Sequence, residues 1–247
     1  ATTKNPKNIP LIDPYCQKAF AIKGSDEKLL APLIAENDLI IITLAAKNVE
    51  DYQATYLQPA TTIQKIAATT AKKYVIYTGS TSVYGDSEGK WVKEDSPLAA
   101  TTPNATTLIQ TEKEYLLLQE RGWQVLLFRL GEIYGPGRTL EQKIARLQGR
   151  TLSGNGSSFT NMIHLEDIVG AIDYSVEHEL TGIFNLCDDE QHLTREEFYQ
   201  QLAAHYNCPH VVFDNSSRGV RSGSKRVSNQ KIKQTGYVLR RPTRLTS

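Results

Sequence analysis

The sequence is short of several features that would each indicate a particular class of protein. Its 28 Lys and Arg residues nearly balance 27 Asp and Glu residues, leaving a formal net charge of +1, so the basic surface of a nucleic-acid or lipid-binding protein is not expected. No apolar run approaches the ~20 residues that span a bilayer. The three cysteines (Cys16, Cys187 and Cys208) are widely spaced, without a Cys-x-x-Cys pair, which argues against a disulfide framework or zinc site. We therefore expect a small-molecule substrate or protein partner, no nucleic acid, membrane or metal, and a cytoplasmic or other reducing soluble compartment.

The start of the chain also lacks an initiator Met and an apolar signal region. Residues 1–10 are polar and contain Pro6 and Pro10, so we predict a loop there. This is not the pattern of a secretory precursor.

The sequence does contain short apolar runs that alternate with helical patterns. Residues 38–46, 74–80 and Gln124–Leu130 read as buried strands, and helices are expected over Glu27–Glu36 and residues 107–121. Four large aliphatic residues in the first run predict a strand buried on both faces and central in a parallel sheet. A chain of 247 residues that alternates in this way predicts βαβ units and an α/β fold of one domain, or a domain and a half.

The regular alternation of strands and helices changes from residue 139 onward, and a smaller second part of the protein is expected there. A helix at 194–206 should begin with a capping box formed by Thr194 and Glu197. Gly122 should end the helix that precedes it, and Pro59 should kink or divide a helix at 52–70. Further predictions are a strand at 16–22, a helix at 140–147, a loop at 153–158, a helix over Leu165–Glu177, strands at 182–187 and 211–213, a loop at 214–224 and a last helix capped by Ser228 that ends at Gly236.

Residues 74–85, Tyr-Val-Ile-Tyr-Thr-Gly-Ser-Thr-Ser-Val-Tyr-Gly, form the stretch with the clearest functional pattern. An apolar strand turns there into small hydroxylated residues and ends at a glycine. Open α/β sheets bind ligands at the carboxyl ends of their strands. The alternative is a strand followed by a Ser/Thr-rich turn without a ligand.

Several motifs together resemble the NAD-dependent epimerase/dehydratase group of extended short-chain dehydrogenase/reductases. They occur in that family's order and at about its spacing, and they cover most of the chain: Leu44-Ala-Ala46, Ser80-Thr-Ser-Val-Tyr-Gly85, Arg129 to Gly137 with Tyr-Gly-Pro-Gly, Ile163-His-Leu-Glu-Asp167 and Gly182-Ile-Phe-Asn185. The resemblance implies a Rossmann-type doubly wound parallel sheet over 1–138, a smaller substrate-binding part over 139–247, a nicotinamide cofactor and a homodimer built from paired helices.

One departure from the family concerns its glycine-rich turn, which holds the cofactor pyrophosphate. The turn would fall before residue 1, and Gly-x-Gly-x-x-Gly between a strand and a helix does not occur in the sequence. We therefore expect a chain that lacks a first β-α-β piece of about 30 residues, and residues 1–247 alone should bind free NADP(H) poorly.

A second departure concerns proton transfer. Family enzymes carry a Tyr and a Lys four residues apart, and the Lys lowers the pKa of the tyrosine hydroxyl, which is ~10 when unperturbed. Alignment through Pro103 and Glu112 places Asn104 and Leu108 at these positions. Neither side chain can do this chemistry, so the resemblance implies an atypical member.

The resemblance also implies roles for individual residues. Ser80 matches the catalytic Ser/Thr, or it only lines the pocket, and Tyr84 is a substitute proton donor or, preferably, a pocket wall. Asp26 would meet the adenine or simply cap a helix, and Arg138 would hold a substrate anion or remain a solvated loop residue. The full sets are Ser80 as catalytic residue; Thr3, Lys4, Asp26, Ala45, Ala46, Thr78, Gly79 and Gly131 as cofactor-binding residues; and Ser82, Tyr84, Glu132 and Arg138 as substrate-binding residues.

The cofactor is expected to be NADP or NAD. Thr3 and Lys4 favour NADP, because a hydroxyl and a cation suit a 2′-phosphate better than the acid that grips both ribose hydroxyls in NAD-binding members. His164 and Asp167 are expected to be structural. The other histidines (His178, His192, His205 and His210) are expected to be solvated. Two functions remain open: redox or epimerase chemistry on a small or nucleotide-linked carbonyl or alcohol, and a non-catalytic role in cofactor sensing or assembly.

Overall fold

The computed structural model describes residues 1–100, 102–190, 192–215 and 223–245. Its strands are β1 Thr2–Thr3, β2 Phe20–Ala21, β3 Leu39–Ile42, β4 Tyr74–Ser80, β5 Trp91–Val92, β6 Gln124–Leu130, β7 Glu132–Tyr134, β8 Thr151–Leu152, β9 Met162–His164, β10 Gly182–Leu186, β11 Val212–Phe213 and β12 Arg226–Val227. Its α-helices are α1 Ile9–Ile12, α2 Glu27–Glu36, α3 Gln58–Ala67, α4 Pro103–Leu116, α5 Leu140–Ala145, α6 Leu165–Glu177, α7 Arg195–His205 and α8 Gln230–Gln234.

The principal sheet has the order β10-β6-β4-β3. Strand β3 runs parallel to β4, with Leu39 opposite Tyr74 and Ile42 opposite Tyr77. Neighbouring strands therefore follow one another along the chain with helices between them, as in βαβ units. The predicted α/β fold with a parallel sheet is confirmed.

Strand β3 differs from its prediction in length and position. It ends at Ile42 rather than at residue 46, and it lies at the end of the sheet order rather than in the centre. Ile41 is 46% exposed, so the strand is not buried on both faces. A run of aliphatic residues indicates only that a strand is apolar. The position of that strand in the sheet depends on which other strands pair with it.

The chain divides into two compact units. The first unit comprises Ala1–Tyr77 and Thr107–Leu126, and the second comprises Thr78–Thr106 and Leu127–Ser247. Strands β4 and β6 each continue from one unit into the other. The predicted boundary at residue 138 stays a prediction.

The first unit contains short helical segments where a loop was expected. Residues 1–10 include β1, a 3-10 turn at Pro6–Asn8 and the start of α1, so the loop prediction was wrong. Proline is tolerated at the first positions of helical segments, where its missing N–H is not needed. At Pro59 the predicted boundary is confirmed, because a π-helical segment over Gln53–Leu57 ends immediately before α3.

The second unit has its own hydrophobic core. Helices α5 and α7 contribute most of the side chains in this core, and β7, β9 and the residue before β11 contribute the others. The core residues are Tyr134, Leu140, Ile144, Met162, Phe198, Tyr199, Leu202 and Val211. Both helices begin with capping boxes, Thr139 with Gln142 and Thr194 with Glu197. The second of these was predicted from the sequence and is confirmed.

Other element boundaries moved by a few residues. The predicted strand at 16–22 is reduced to β2, and the strand and helix at 182–187 and 140–147 end at Leu186 and Ala145. Gly122 has φ 78° and ends its helix as predicted. Asn229 rather than Ser228 is the N-cap of α8, although the Ser228 hydroxyl accepts a hydrogen bond from the Gln230 amide. Residues 216–222 of the loop predicted at 214–224 lie outside the described residues.

Within the described ranges, every helix is too short or too polar to cross a membrane. The three cysteines are free thiols, as the sequence predicted.

Candidate functional site

Ser80 ends strand β4 and begins a 3-10 turn over Thr81–Tyr84. Its Oγ accepts a hydrogen bond from the Ser82 amide at 3.2 Å. Because the hydroxyl is used there as an acceptor, its own proton stays available to a ligand. Gly79, Ser80 and Ser82 are partly exposed, so a ligand can reach this strand end.

Gly85 closes the turn and has a conformation that requires glycine. Its φ is 63°, and a Cβ built there would lie 2.2 Å from the Ala99 carbonyl oxygen. The Gly85 amide donates to the Ser82 carbonyl at 3.1 Å. The glycine therefore allows the chain to reverse while residues 80–85 stay close to the loop at Ala99.

A buried polar network lies around Tyr84 in the second unit. The Tyr84 hydroxyl donates to Asn185 Oδ1 at 2.7 Å and accepts from Arg129 Nη1 at 2.9 Å. Arg129 also donates to the Glu94 carbonyl oxygen at 3.1 Å. The backbone N–H of Asn185 donates to a carboxylate oxygen of Glu94 at 2.7 Å. Tyr84, Arg129 and Asn185 are at most 2% exposed. The network joins the Ser80 turn to β6, β10 and the loop after β5.

This network favours the pocket-wall interpretation of Tyr84. Burial raises the pKa of the Tyr84 hydroxyl to about 12, although Arg129 and Asn185 both oppose the increase. The guanidinium also lies over the tyrosine ring, 4.9 Å from its centroid. A phenol held in this way remains protonated at neutral pH and cannot act there as a general base.

Tyr84→Phe should remove one titration step and destabilise the second unit. Losing the hydroxyl leaves Arg129 and Asn185 each without one buried partner, at a cost of about 1–3 kcal/mol. In a spectrophotometric titration, the difference between wild type and variant should show a tyrosine ionising near pH 12. A Tyr84 step near pH 10 would contradict this assignment. Tyr15→Phe is the matched control, because Tyr15 is 88% exposed.

The predicted residues after β6 lie in the second unit. Gly131 is buried, and a Cβ there would lie 2.8 Å from the Asn161 carbonyl oxygen. Glu132 is exposed and forms an ion pair with Lys143 of α5. Arg138 is exposed in the loop that follows β7. Their roles toward cofactor and substrate stay predictions.

Thr78 lies in β4, in the second unit, and is 9% exposed. Thr3, Lys4, Asp26, Ala45 and Ala46 lie in the first unit. Thr3 ends β1, and its hydroxyl accepts from the Asn5 amide, while Lys4 Nζ donates to Thr55 Oγ1 at 3.5 Å. The Asp26 carboxylate accepts from the Leu29 amide at 3.2 Å and caps α2, as the alternative reading proposed. Ala45 is exposed and follows β3 without being part of it, and the Ala46 amide donates to the Tyr56 hydroxyl at 3.2 Å.

Asn104 and Leu108, which were predicted to stand at the family's Tyr and Lys positions, both lie on α4. Asn104 is partly exposed in its first turn, and Leu108 is 5% exposed. Leu108 therefore acts as a core residue of its unit. The two side chains can supply neither a titratable phenol nor an ammonium at these positions.

His164 and Asp167 form structural contacts at the start of α6. His164 Nδ1 accepts from the Glu166 amide at 3.2 Å, and Asp167 accepts from the Arg240 amide at 2.6 Å. The prediction that His192 is solvated was wrong. Its Nε2 lies 3.1 Å from the Val227 carbonyl oxygen, its ring packs edge-on against Trp91, and burial lowers its pKa.

Sequence reasoning missed Arg129, Asn185 and Glu94 as members of one network. Arg129 did carry a signal, because it interrupts the otherwise apolar run of β6, and a buried charge requires partners. Asn185 belongs to one of the family motifs, but no sequence pattern linked it to Glu94, since the two residues are separated by 91 positions and meet only in the folded chain.

Comparison with known proteins identifies the family. The profile of the NAD dependent epimerase/dehydratase family matches residues 4–187. The chain belongs to this family. It is similar to Protein YeeZ of Escherichia coli, with 33% identity over 184 residues, and the match covers 74% of this chain but only 64% of YeeZ.

Solved structures show the same fold. A functionally unknown conserved protein from Silicibacter pomeroyi superposes with a TM-score of 0.77 at 25% identity, covering 98% of this chain and 85% of the other. A dTDP-glucose 4,6-dehydratase from Streptomyces venezuelae, solved with NAD bound, gives 0.78 at 19% identity over 95% and 78% of the two chains. These relatives do not support the predicted preference for NADP. Among the described residues, no group of three or more His, Cys, Asp and Glu side chains could hold a metal ion.

Proposed function

We propose that the protein binds a nicotinamide dinucleotide and carries out redox or epimerase chemistry on a small or nucleotide-linked carbonyl or alcohol. Family membership supports the cofactor, and the geometry of Ser80 carries the proposal. Its Oγ accepts from the Ser82 amide, so its proton can be donated to a substrate oxygen. The site differs from that of a complete family enzyme because Asn104 and Leu108 replace the Tyr and Lys.

The residues at the end of β4 fit a dinucleotide. Thr78 and Gly79 are small and precede Ser80, and Gly79 is partly exposed, so a flat ring can approach the backbone there. The bound nicotinamide would supply the hydride chemistry. The protein would contribute Ser80 as hydrogen-bond donor, Tyr84 as a fixed wall, and Glu132 and Arg138 as substrate contacts.

The choice between the two nucleotides follows from Thr3 and Lys4. We retain NADP as the proposed preference, because Lys4 is exposed at the end of β1 and could pair with a 2′-phosphate. Lys4→Glu should weaken binding of NADPH more than that of NADH.

Turnover by the full-length gene product tests the proposal. We expect oxidation of NADPH or NADH in the presence of a panel of aldehydes and ketones, followed as the loss of nicotinamide absorbance. Ser80→Ala should lower kcat/KM by about 10²-fold, as removal of an oxyanion donor does. Ser87→Ala is the matched control, since Ser87 lies outside the turn.

A second function is favoured by the same structural observations. Tyr84 is held protonated in a network, and Asn104 and Leu108 of α4 stand where the resemblance implies the family's Tyr and Lys. If the protein binds the cofactor but turns over none of the substrates, a non-catalytic sensor or assembly role is the better explanation.

A further inference from the structure

Lys225 is a buried cation in the second unit, where it is only 4% exposed. Its Nζ donates to the Gly85 carbonyl oxygen at 3.0 Å. Burial lowers the pKa of the Lys225 ammonium to about 8, while the nearby Asp86 carboxylate opposes the decrease. Burying an ammonium is costly unless it is paired, so the position of this lysine is strongly constrained.

Residues 223–228 hold Lys225 in place by packing along the loop that follows Gly85. A Cβ at Gly223 would lie 2.3 Å from Asp86 Cα. The Ser224 amide donates to the Asp86 carboxylate at 2.9 Å, and its carbonyl accepts from the Ser87 and Gly89 amides. Strand β12 then pairs in parallel with β5. The segment is therefore fixed on both sides of Lys225.

Three hydrogen bonds hold the turn between Lys225 and Ser80. Lys225 Nζ donates to the Gly85 carbonyl, the Gly85 amide donates to the Ser82 carbonyl at 3.1 Å, and the Ser82 amide donates to Ser80 Oγ at 3.2 Å. The carbonyl and the amide of Gly85 belong to different peptide groups, and so do those of Ser82, so these bonds act by fixing the backbone of the turn. The Lys225 ammonium anchors the Gly85 end of the turn, and a turn held there keeps the Ser82 amide in place to donate to Ser80 Oγ.

We propose that Lys225 is a positioning residue for Ser80, acting through Gly85 and Ser82. It supplies a cation to this turn from a position that comes much later in the sequence than Leu108, where the resemblance implies the family's lysine. The effect on catalysis rests on the proposed function, but the effect on the turn does not.

Amide hydrogen exchange tests the positioning directly. In Lys225→Met, the Gly85 and Ser82 amides should exchange about tenfold faster or more, because a bond from a charged donor is lost. Lys225→Arg should restore most of the protection. Lys90→Met is the matched control, since the Lys90 side chain is 75% exposed, and it should leave both amides unchanged. Unchanged exchange of the two amides in folded Lys225→Met would overturn the proposal. A loss of protection in Lys225→Arg as large as that in Lys225→Met would also overturn it. If Lys225→Met fails to fold, exchange in Lys225→Arg is compared with the wild type, and loss of protection there would overturn the proposal.

Turnover by the full-length gene product provides the second readout. Lys225→Met should lower kcat/KM, and adding Ser80→Ala to it should produce little further loss, because both changes act on the same hydroxyl. Multiplicative losses would contradict an action through Ser80. If the wild type shows no turnover, the proposed function fails while the exchange experiment still tests Lys225.

Discussion

Replacing Arg244 with methionine is expected to lower the free energy of unfolding by about 3–5 kcal/mol. Arg244 Nε and Nη2 donate to the two carboxylate oxygens of Asp188 at 2.8 and 3.0 Å, and both side chains are 1% exposed. Removing the guanidinium leaves a buried carboxylate without its partner, which costs far more than the pair contributes. Urea or thermal unfolding at pH 7.5 would measure the loss.

Arg241→Met is the matched control for this prediction. Arg241 also pairs with a carboxylate at 2.9 Å, that of Glu166, but the two side chains are 48% and 43% exposed. Water replaces the lost contact there, so we expect little change in stability. Equal losses in the two variants would contradict the role of burial. The loss in Arg244→Met should also shrink as the pH falls toward about 6 and then level off. Burial raises the pKa of Asp188 to about 6 while Arg244 opposes the increase, so without Arg244 the carboxyl is protonated at a higher pH than in the wild type.

Gly85→Ala is expected to be about as damaging, lowering the free energy of unfolding by about 2–6 kcal/mol. Two effects add: the strain of a positive φ in a residue with a side chain, and the overlap of its Cβ with the Ala99 carbonyl oxygen. The same change should displace residues 80–85 and therefore lower any turnover that depends on Ser80. Chemical denaturation and kcat/KM of the full-length gene product measure the two effects.

Gly137→Ala separates strain from overlap. Gly137 also has a positive φ, 78°, but a Cβ there would meet nothing within 4 Å. We expect Gly137→Ala to lower the free energy of unfolding only by the strain of its positive φ, about 1–2 kcal/mol. If Gly85→Ala lost no more than Gly137→Ala, close packing of the Ser80 turn against Ala99 would be refuted.

Local patterns in the sequence predicted several elements well. Strand β6, helices α2 and α6, the Gly122 helix end and the Thr194 capping box all match the structure. Each of these features depends on residues that are close together in the sequence. The strand and helices follow from the spacing of apolar residues, the capping box from an N-cap residue three positions before its partner, and the helix end from a glycine that can adopt a positive φ.

Positions that depend on distant parts of the chain were predicted poorly. The β3 run was expected in the centre of the sheet, yet Ile41 is 46% exposed. His192 was expected in solvent, yet its ring contacts Trp91, about a hundred residues earlier in the chain. The exposure of a residue and the pairing of a strand are set by tertiary packing, and the local hydrophobic pattern of the sequence does not predict them.

By itself, the sequence determined the fold class and the family, because these follow from motifs at fixed spacing. The replacement of the family Tyr and Lys by Asn104 and Leu108 stays a prediction. Only the tertiary structure decided how the Ser80 turn is held. Arg129, Asn185 and Lys225 reach it from separate segments of the second unit. Burial then raises the pKa of Tyr84 and lowers that of Lys225, since removing a group from water disfavours its charged form.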